Sequence, residues 1–355
     1  MSDFDQFVEF VQYTKRFRNV GVGPRRYLRD YSDPFSKYSV EEFHARYRFT
    51  PDVVKSVILP MLESIRKPSK RGLPFPPEIM LLITLRYYAT GSFQKMQKDV
   101  MNICQQSVSR IIVQVSNLIA KKMKKYVKFP TTTEGLNMVK QKFYEISHFP
   151  EVIGCIDCTH IKIRSPGGNT SEVYKNRKGF FSINVQTVVG PNLEFFNLVA
   201  RWPGSTPDNF IYNNSSIKQR LDTGELEGVI LGDSDFAMSN TILTPFLSPN
   251  SIPQEQYNKS HNETRKIVEH CLGIWKGRFP CLQVGMCIKV ETVVAVICAC
   301  AALHNIAVSV GDIAPTNWEM AEIDNDVDIT ICNEDPNSDG FVARQLFVDR
   351  YFQNC

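Results

Sequence analysis

The chain has 355 residues, 43% apolar and 22% charged, which excludes a fibrous or wholly disordered polymer and suits a globular protein of two or three domains. Its formal net charge of +4 conceals a division: residues 312–355 carry ten acids against two bases, leaving 39 bases against 27 acids in the rest. The ten cysteines mostly lie inside apolar stretches such as Val296-Ile297-Cys298-Ala299-Cys300-Ala301, which excludes a secreted disulfide scaffold and implies reduced thiols.

The N-terminus, Met1-Ser2-Asp3-Phe4-Asp5, has no charged-then-apolar leader, and no uninterrupted apolar run reaches the ~18 residues that span a bilayer. A soluble, intracellular protein with no membrane contact is expected. Residues 40–65 space Val40, Phe43, Tyr47, Val53, Val54, Val57, Ile58, Met61 and Leu62 as short helices on either side of Thr50-Pro51. After Pro76-Pro77, the run Ile79, Leu82, Ile83, Leu85, Tyr87 predicts a buried helix ending at Gly91-Ser92.

Residues 92–123 then read as helix, break near 101–106, and a second helix with the stripe Val108, Ile111, Ile112, Val115, Leu118, Ile119. That pattern predicts a helix-turn-helix inside a helical N-terminal region, 1–130. Its exposed face carries Gln105, Gln106, Ser109, Arg110, Gln114 and Asn117, side chains able to read base edges or phosphates, or simply a polar bundle face. Lys121, Lys122, Lys124 and Lys125 follow, a phosphate-binding or solvated patch.

Beyond Pro130 short β-branched runs take over: 152–163, 180–189, 195–202 and 229–231. Helical stretches are expected at 209–220, 260–278 and 292–309, so residues 150–310 form a three-layer α/β domain with a mixed sheet flanked by helices. Residues 311–340 hold nine acids and no base and read as a disordered acidic linker, and 341–355 as a C-terminal helix that docks back.

Three acids stand out. Asp157 interrupts the apolar run Gly154-Cys155-Ile156-Asp157-Cys158-Thr159-His160-Ile161, and a carboxylate projecting from a buried strand is costly without a partner or a metal. Asp233 ends the run Val229-Ile230-Leu231-Gly232, at the carboxyl end of a strand, where ligand crevices open in α/β sheets. Glu269 sits mid-helix, four residues after Arg265, with which an i,i+4 ion pair is the plain reading. Singly each is an ordinary cap, turn or salt-bridge acid. Together, two strand-borne aspartates and a helix-borne glutamate are the hard oxygen ligands of a two-metal phosphoryl-transfer site, with Mg²⁺ or Mn²⁺ ions ~3.5 to 4 Å apart. Zinc is a weaker reading: Cys155-x-x-Cys158, His160, His261, His270 and Cys271 are usable ligands, but no second cysteine pair has finger spacing. No Ser-His-Asp, P-loop or Rossmann signature occurs.

The order of motifs resembles that of PIF/Harbinger transposases. Asp157 with Thr159-His160-Ile161 is followed by Tyr174-Lys175-Asn176-Arg177-Lys178-Gly179-Phe180, Trp202-Pro203-Gly204-Ser205 with Asp208, and Leu231-Gly232-Asp233-Ser234. Leu243-Thr244-Pro245-Phe246, Tyr257-Asn258-Lys259-Ser260-His261, Val268-Glu269, Arg278-Phe279 and Leu303-His304-Asn305 complete the series, so the likeness spans about 40–310. It implies an RNase H-like catalytic domain, a catalytic DDE triad at Asp157, Asp233 and Glu269, a fourth metal-proximal acid at Asp208, divalent cations as cofactors and DNA as substrate. It also implies a nuclear, and in part cytoplasmic, protein working with a Myb-like DNA-binding partner and as a homo-oligomer. Lys175, Arg177 and Lys178 would neutralise the DNA backbone. Cys158 replaces a usual Gly and Asp235-Phe236-Ala237 a usual Gly-Tyr-Pro, neither removing a ligand. The competing expectation is a domesticated DNA-binding or scaffold protein that keeps the fold without cleavage.

Overall fold

The Val- and Ile-rich runs after residue 150 form the sheet. In the computed structural model, which describes residues 33–66, 75–92, 103–169, 171–312 and 339–353, they are β1 (Val152–Lys162), β2 (Ser182–Val189), β3 (Phe195–Pro203) and β4 (Val229–Leu231). A two-residue β5 (Ile242–Leu243), too short to leave a period in the sequence, completes the order β3-β2-β1-β4-β5. The first three strands are antiparallel, while β4 runs parallel to β1 and β5 parallel to β4. This is an RNase H-like α/β arrangement. Every residue of β2 is buried, as a central strand covered on both faces requires.

Two long helices cover one face: α8 (Ile252–Arg278) and α9 (Val290–Ser309). The sequence pattern placed the start of α8 near residue 260; Pro253 lies in its first turn, where a missing N–H breaks no bond, so the helix extends back to Ile252. By length and composition alone, α9 is apolar enough to cross a membrane, an exception to the expectation drawn from uninterrupted runs; 78% of its most apolar window is buried inside the protein. The predicted 209–220 helix is divided into α6 (Asp208–Asn213) and α7 (Ser216–Asp222), because Ser215 leaves the helical conformation and its hydroxyl accepts from Lys218 N. The sequence reading gave no helix between Pro130 and β1, yet α5 (Thr133–Ser147) lies there, capped by Thr132 and seated through Val139 and Phe143.

The N-terminal helices follow the expected apolar pattern. In α1 (Val40–Tyr47), Ser39 and Glu42 form a reciprocal capping box. Short α, π and 3₁₀ turns run from Pro51–Val53 to Leu59–Ile65. The buried α2 (Pro77–Thr90) ends on Gly91 in the left-handed conformation. Next, α3 (Gln105–Lys121) buries Val108, Ile111, Ile112, Val115 and Ile119 against α2 and α9, and the brief α4 (Met123–Tyr126) follows. Residues 38–355 thus form one compact unit, with the helices of the N-terminal third inside it; Met1–Lys37 is a separate unit whose described part is the turn Pro34–Lys37. Arg278, buried at the end of α8, ties the segment after α1 to the segment after α9 by donating to Arg48 O at 2.9 Å and to Asp312 Oδ1 at 3.4 Å, while His44 Nε2 bonds the same carboxylate at 2.8 Å. The first half of the expected helix-turn-helix, 93–102, and most of the acidic stretch, 313–338, lie outside the described residues. A final helix, α10 (Asp339–Tyr351), packs on α8.

Candidate active site

The sheet sets the site by ending unevenly. β1 pairs with β4 only as far as Cys155↔Leu231, whereas it pairs with β2 through Lys162↔Ser182. Asp157 therefore emerges just beyond the end of β4, and Asp233 follows that same end by two residues. The amide of Cys158 donates to Asp157 Oδ1 at 2.7 Å, and the amide of Asp235 to Asp233 Oδ1 at 3.1 Å, so each carboxylate keeps its second oxygen for the interior. Asp235 thus contributes its backbone to the Asp233 turn.

Those second oxygens converge on α8. Arg265 Nη2 donates to Asp157 Oδ2 at 3.1 Å and to Asp233 Oδ2 at 2.9 Å, and Nη1 donates to Glu269 Oε1 at 3.0 Å. The expected i,i+4 pair with Glu269 exists, but it is one arm of a fork that gathers all three acids. Asp208, the first residue of α6, approaches from the other face of the sheet. Asn184 Nδ2 orients it, donating to Asp208 Oδ1 at 2.7 Å and to Thr206 O at 2.9 Å. Alternation along the strands explains the two faces: Asp157 points to α8, while Asn184, opposite His160 in the register, points to α6.

Four acids this close repel one another. Burial pushes the Asp157 carboxyl up to about 7; Arg265 opposes the rise, and Asp233 and Asp208 add to it. Burial also raises Asp208, against the Asn184 hydrogen bond and the charge of Arg177. Burial disfavours the Arg265 charge, yet Asp157, Asp233 and Glu269 hold the guanidinium protonated. Among the described residues no three His, Cys, Asp or Glu side chains enclose an ion position as they stand, because the triad acids are gathered around the guanidinium. Their chemistry nonetheless fits a divalent ion: all four supply hard oxygens, and Asp157 and Asp233 already share one cationic group.

Lys175, Arg177 and Lys178 are exposed on a tight turn. Gly179 N donates to Asn176 O at 2.9 Å and Phe180 N to Asn176 Oδ1 at 3.1 Å, while Gly179 adopts a φ of 83°. Ser205 N donates to Val173 O at 3.1 Å, fastening the turn's stem to the end of β3. Gly204 permits that approach, since a Cβ there would lie 2.3 Å from Ser182 Oγ and 2.6 Å from Tyr174 O. Gly204→Ala is expected to destabilise the protein by about 1–3 kcal/mol through overpacking, read as a lower urea midpoint. An unchanged midpoint would show that the turn is not clamped there. Gln106, Ser109 and Arg110 lie on α3, Gln106 and Arg110 exposed and Ser109 half-buried; α3 packs chiefly on α2 and α9.

Other motif residues serve the frame. Tyr257 OH donates to Thr244 O at 3.0 Å, Asn258 exchanges two hydrogen bonds with the Phe246 backbone, and His261 Nε2 bonds Leu243 O at 3.0 Å. Asn305 bonds both backbone groups of Phe195, and His304 bonds Leu193 O. The residues weighed as zinc ligands are held apart by partners of their own: Cys155 by Thr264 O, Cys271 by Leu193 O and His160 by Ser182 Oγ. Sequence reasoning missed two site residues. Arg265 gave a signal only toward Glu269, and Asn184, inside an apolar strand, gave only the oddity of a buried amide.

A family model for the DDE superfamily endonuclease matches residues 156–305. The rat (Rattus norvegicus) protein named "Putative nuclease HARBI1" is 30% identical over 275 residues, covering 76% of this chain and 78% of that protein. The chain belongs to the Harbinger transposase-derived DDE endonuclease family. Its human (Homo sapiens) relative of the same name is 28% identical with the same coverage. An Arabidopsis thaliana relative, "Protein ALP1-like", is 28% identical over 258 residues, 68% of this chain and 63% of that one. No solved structure matches. The span matched to the endonuclease family holds Asp157, Asp208, Asp233, Glu269 and the basic turn, while helices α1 to α5 precede it.

Proposed function

We propose that this Harbinger-type chain is a divalent-metal-dependent DNA endonuclease with Asp157, Asp233 and Glu269 as its catalytic carboxylates and Asp208 as a fourth metal-proximal acid. The observation that carries the reading is the convergence of three acids, from β1, the turn after β4 and α8, on one cationic group. Mg²⁺ or Mn²⁺ held by these four side chains would supply Lewis-acid activation of water and of the scissile phosphate. The chain's own residues prepare the site. The amides of Cys158 and Asp235 fix one oxygen each of Asp157 and Asp233, and Asn184 fixes Asp208. Lys175, Arg177 and Lys178, of which Arg177 acts on the Asp208 carboxyl, hold the DNA backbone, and Gln106, Ser109 and Arg110 of α3 bind DNA as well. The same reading places the protein in the nucleus, with a fraction in the cytoplasm, acting with a Myb-like DNA-binding partner and as a homo-oligomer.

The test is nicking of supercoiled DNA by the full chain with Mg²⁺ or Mn²⁺, alone and with the partner. Wild type is expected to nick, and Asp233→Ala and Glu269→Ala to lose the activity while remaining folded. Wild-type protein that binds DNA without nicking it under every one of these conditions would favour a binding or scaffold role instead. Charge reversal at the turn, Lys175→Glu with Lys178→Glu, is expected to weaken DNA binding by about tenfold or more at low salt and to flatten its salt dependence. Filter binding across a salt series would show it, and an unchanged slope would remove the turn from the DNA path.

A further inference from the structure

Arg265 is more than a helix-surface partner of Glu269. A simple i,i+4 pair would not reach Asp157 and Asp233, which lie 108 and 32 residues away in the chain. The side chain is only 16% exposed, and its fork leaves Nη2 shared between two carboxylates and Nη1 on the third. A divalent ion needs oxygens at about 2.0–2.1 Å for Mg²⁺, and the oxygens in question already face Nη2. A guanidinium stays protonated at any working pH, so it cannot yield its place by losing a proton; it has to move.

We propose that Arg265 is a resident counter-ion that occupies the cation position of the acid cluster and must be displaced for a divalent ion to load. The inference rests on the nuclease reading above, in which these acids are metal ligands. Arg265 is then a positioning residue. It neutralises part of the mutual repulsion of Asp157, Asp233 and Glu269 and keeps them convergent, and in return it competes with the ion for the same lone pairs. Asp208 stands outside this competition, because it is held by Asn184 and the Cys158 side chain rather than by Arg265. The three triad acids become available to an ion as the guanidinium withdraws.

The experiment is calorimetric titration of the full chain with Mn²⁺, and with Ca²⁺ as a second ion, alongside thermal melting in chelator. Wild type is compared with Arg265→Met, which keeps the stem and loses the charge, and with Arg265→Lys. Removing the competitor is expected to tighten Mn²⁺ binding about tenfold or more, while the melting temperature in chelator falls and Mn²⁺ restores it by a larger shift than in wild type. Arg265→Lys, with one ammonium in place of a fork, is expected to bind Mn²⁺ at least about threefold more tightly than wild type. Folded Arg265→Met that binds Mn²⁺ no more tightly than wild type overturns the proposal. If that variant does not fold even with Mn²⁺, an unchanged affinity in Arg265→Lys overturns it instead. Absence of Mn²⁺ binding in wild type and both Arg265 variants alike, as in an Asp157→Ala control, would defeat the metal-site reading and this inference together; wild type that binds while the Arg265 variants match it defeats this inference alone.

Discussion

Asp157→Asn is expected to abolish metal-dependent nicking and, in chelator, to leave a protein that melts at a higher temperature than wild type. The first effect follows from removing a carboxylate charge at the reacting centre. A preorganised charge-stabilising group there is worth ~3–4 kcal/mol, so the loss should be about a hundredfold to a thousandfold. The second follows from the cost of the same charge in the folded protein. Burial and the neighbouring acids push Asp157 up to about 7, against an ordinary value of about 4, and Arg265 only partly offsets them. A carboxyl raised on folding adds stability that is fully present below its unfolded value and is lost as pH rises through the folded value. Wild-type stability in chelator should therefore decline between about pH 4 and pH 7 by an amount that Asp157→Asn lacks. The ion needs the ionised form, so Mn²⁺ affinity of the wild type should rise with pH up to about 7 and level off above it. Melting curves from pH 4.5 to 8 with both proteins check the linkage. A variant that melts lower than wild type at pH 8 would mean that the Arg265 pair outweighs burial.

The strands and the acids at their ends could be read from the sequence because both leave local signals. Alternating β-branched runs mark β1 to β4, and an acid that interrupts or ends such a run is conspicuous. What escaped depends on distance in the chain. Asn184 orients Asp208 from a strand 24 residues away, and Arg265 meets Asp157 across 108, so neither contact has a periodicity to betray it. Secondary structure failed for similar reasons. The α5 stripe of Val139 and Phe143 is sparse, and β5 has two residues, below any period. The break between α6 and α7 turns on one serine whose cap outweighs helix continuation. Family motifs that look chemical, such as Tyr257-Asn258-Lys259-Ser260-His261, are largely frame. Their side chains hold the backbone around β5, which in turn steadies β4 and so the position of Asp233.

That frame predicts a large stability effect far from the acids. Arg344→Met in α10 is expected to destabilise the protein by about 3 kcal/mol, whereas Leu346→Ala on the same helix should change stability by less than about 0.5 kcal/mol. Arg344 is 0% exposed and Leu346 63% exposed, because the helix seats Arg344, Val348 and Phe352 at four-residue spacing and turns Leu346 outward. The guanidinium lies 3.7 Å from the Phe246 ring centre and donates to Thr244 O at 3.2 Å and Pro245 O at 2.8 Å. A desolvated cation–π contact is worth ~2 kcal/mol, and each hydrogen bond from a charged donor ~1.5–3 kcal/mol, against which stands the cost of burying the charge. Methionine fills much of the volume but removes the donor to the part-buried Pro245 O and leaves Thr244 O to Tyr257 OH alone among these donors. Phe347 and Phe352 stack around Phe149 and Tyr257, so a loosened α10 also unpacks the aromatic cluster beside α8. Urea unfolding of the two variants decides the matter. A loss below about 1 kcal/mol for Arg344→Met would mean that α10 contributes little to the domain, and that the segment after β5 is held by Tyr257, Asn258 and His261 alone.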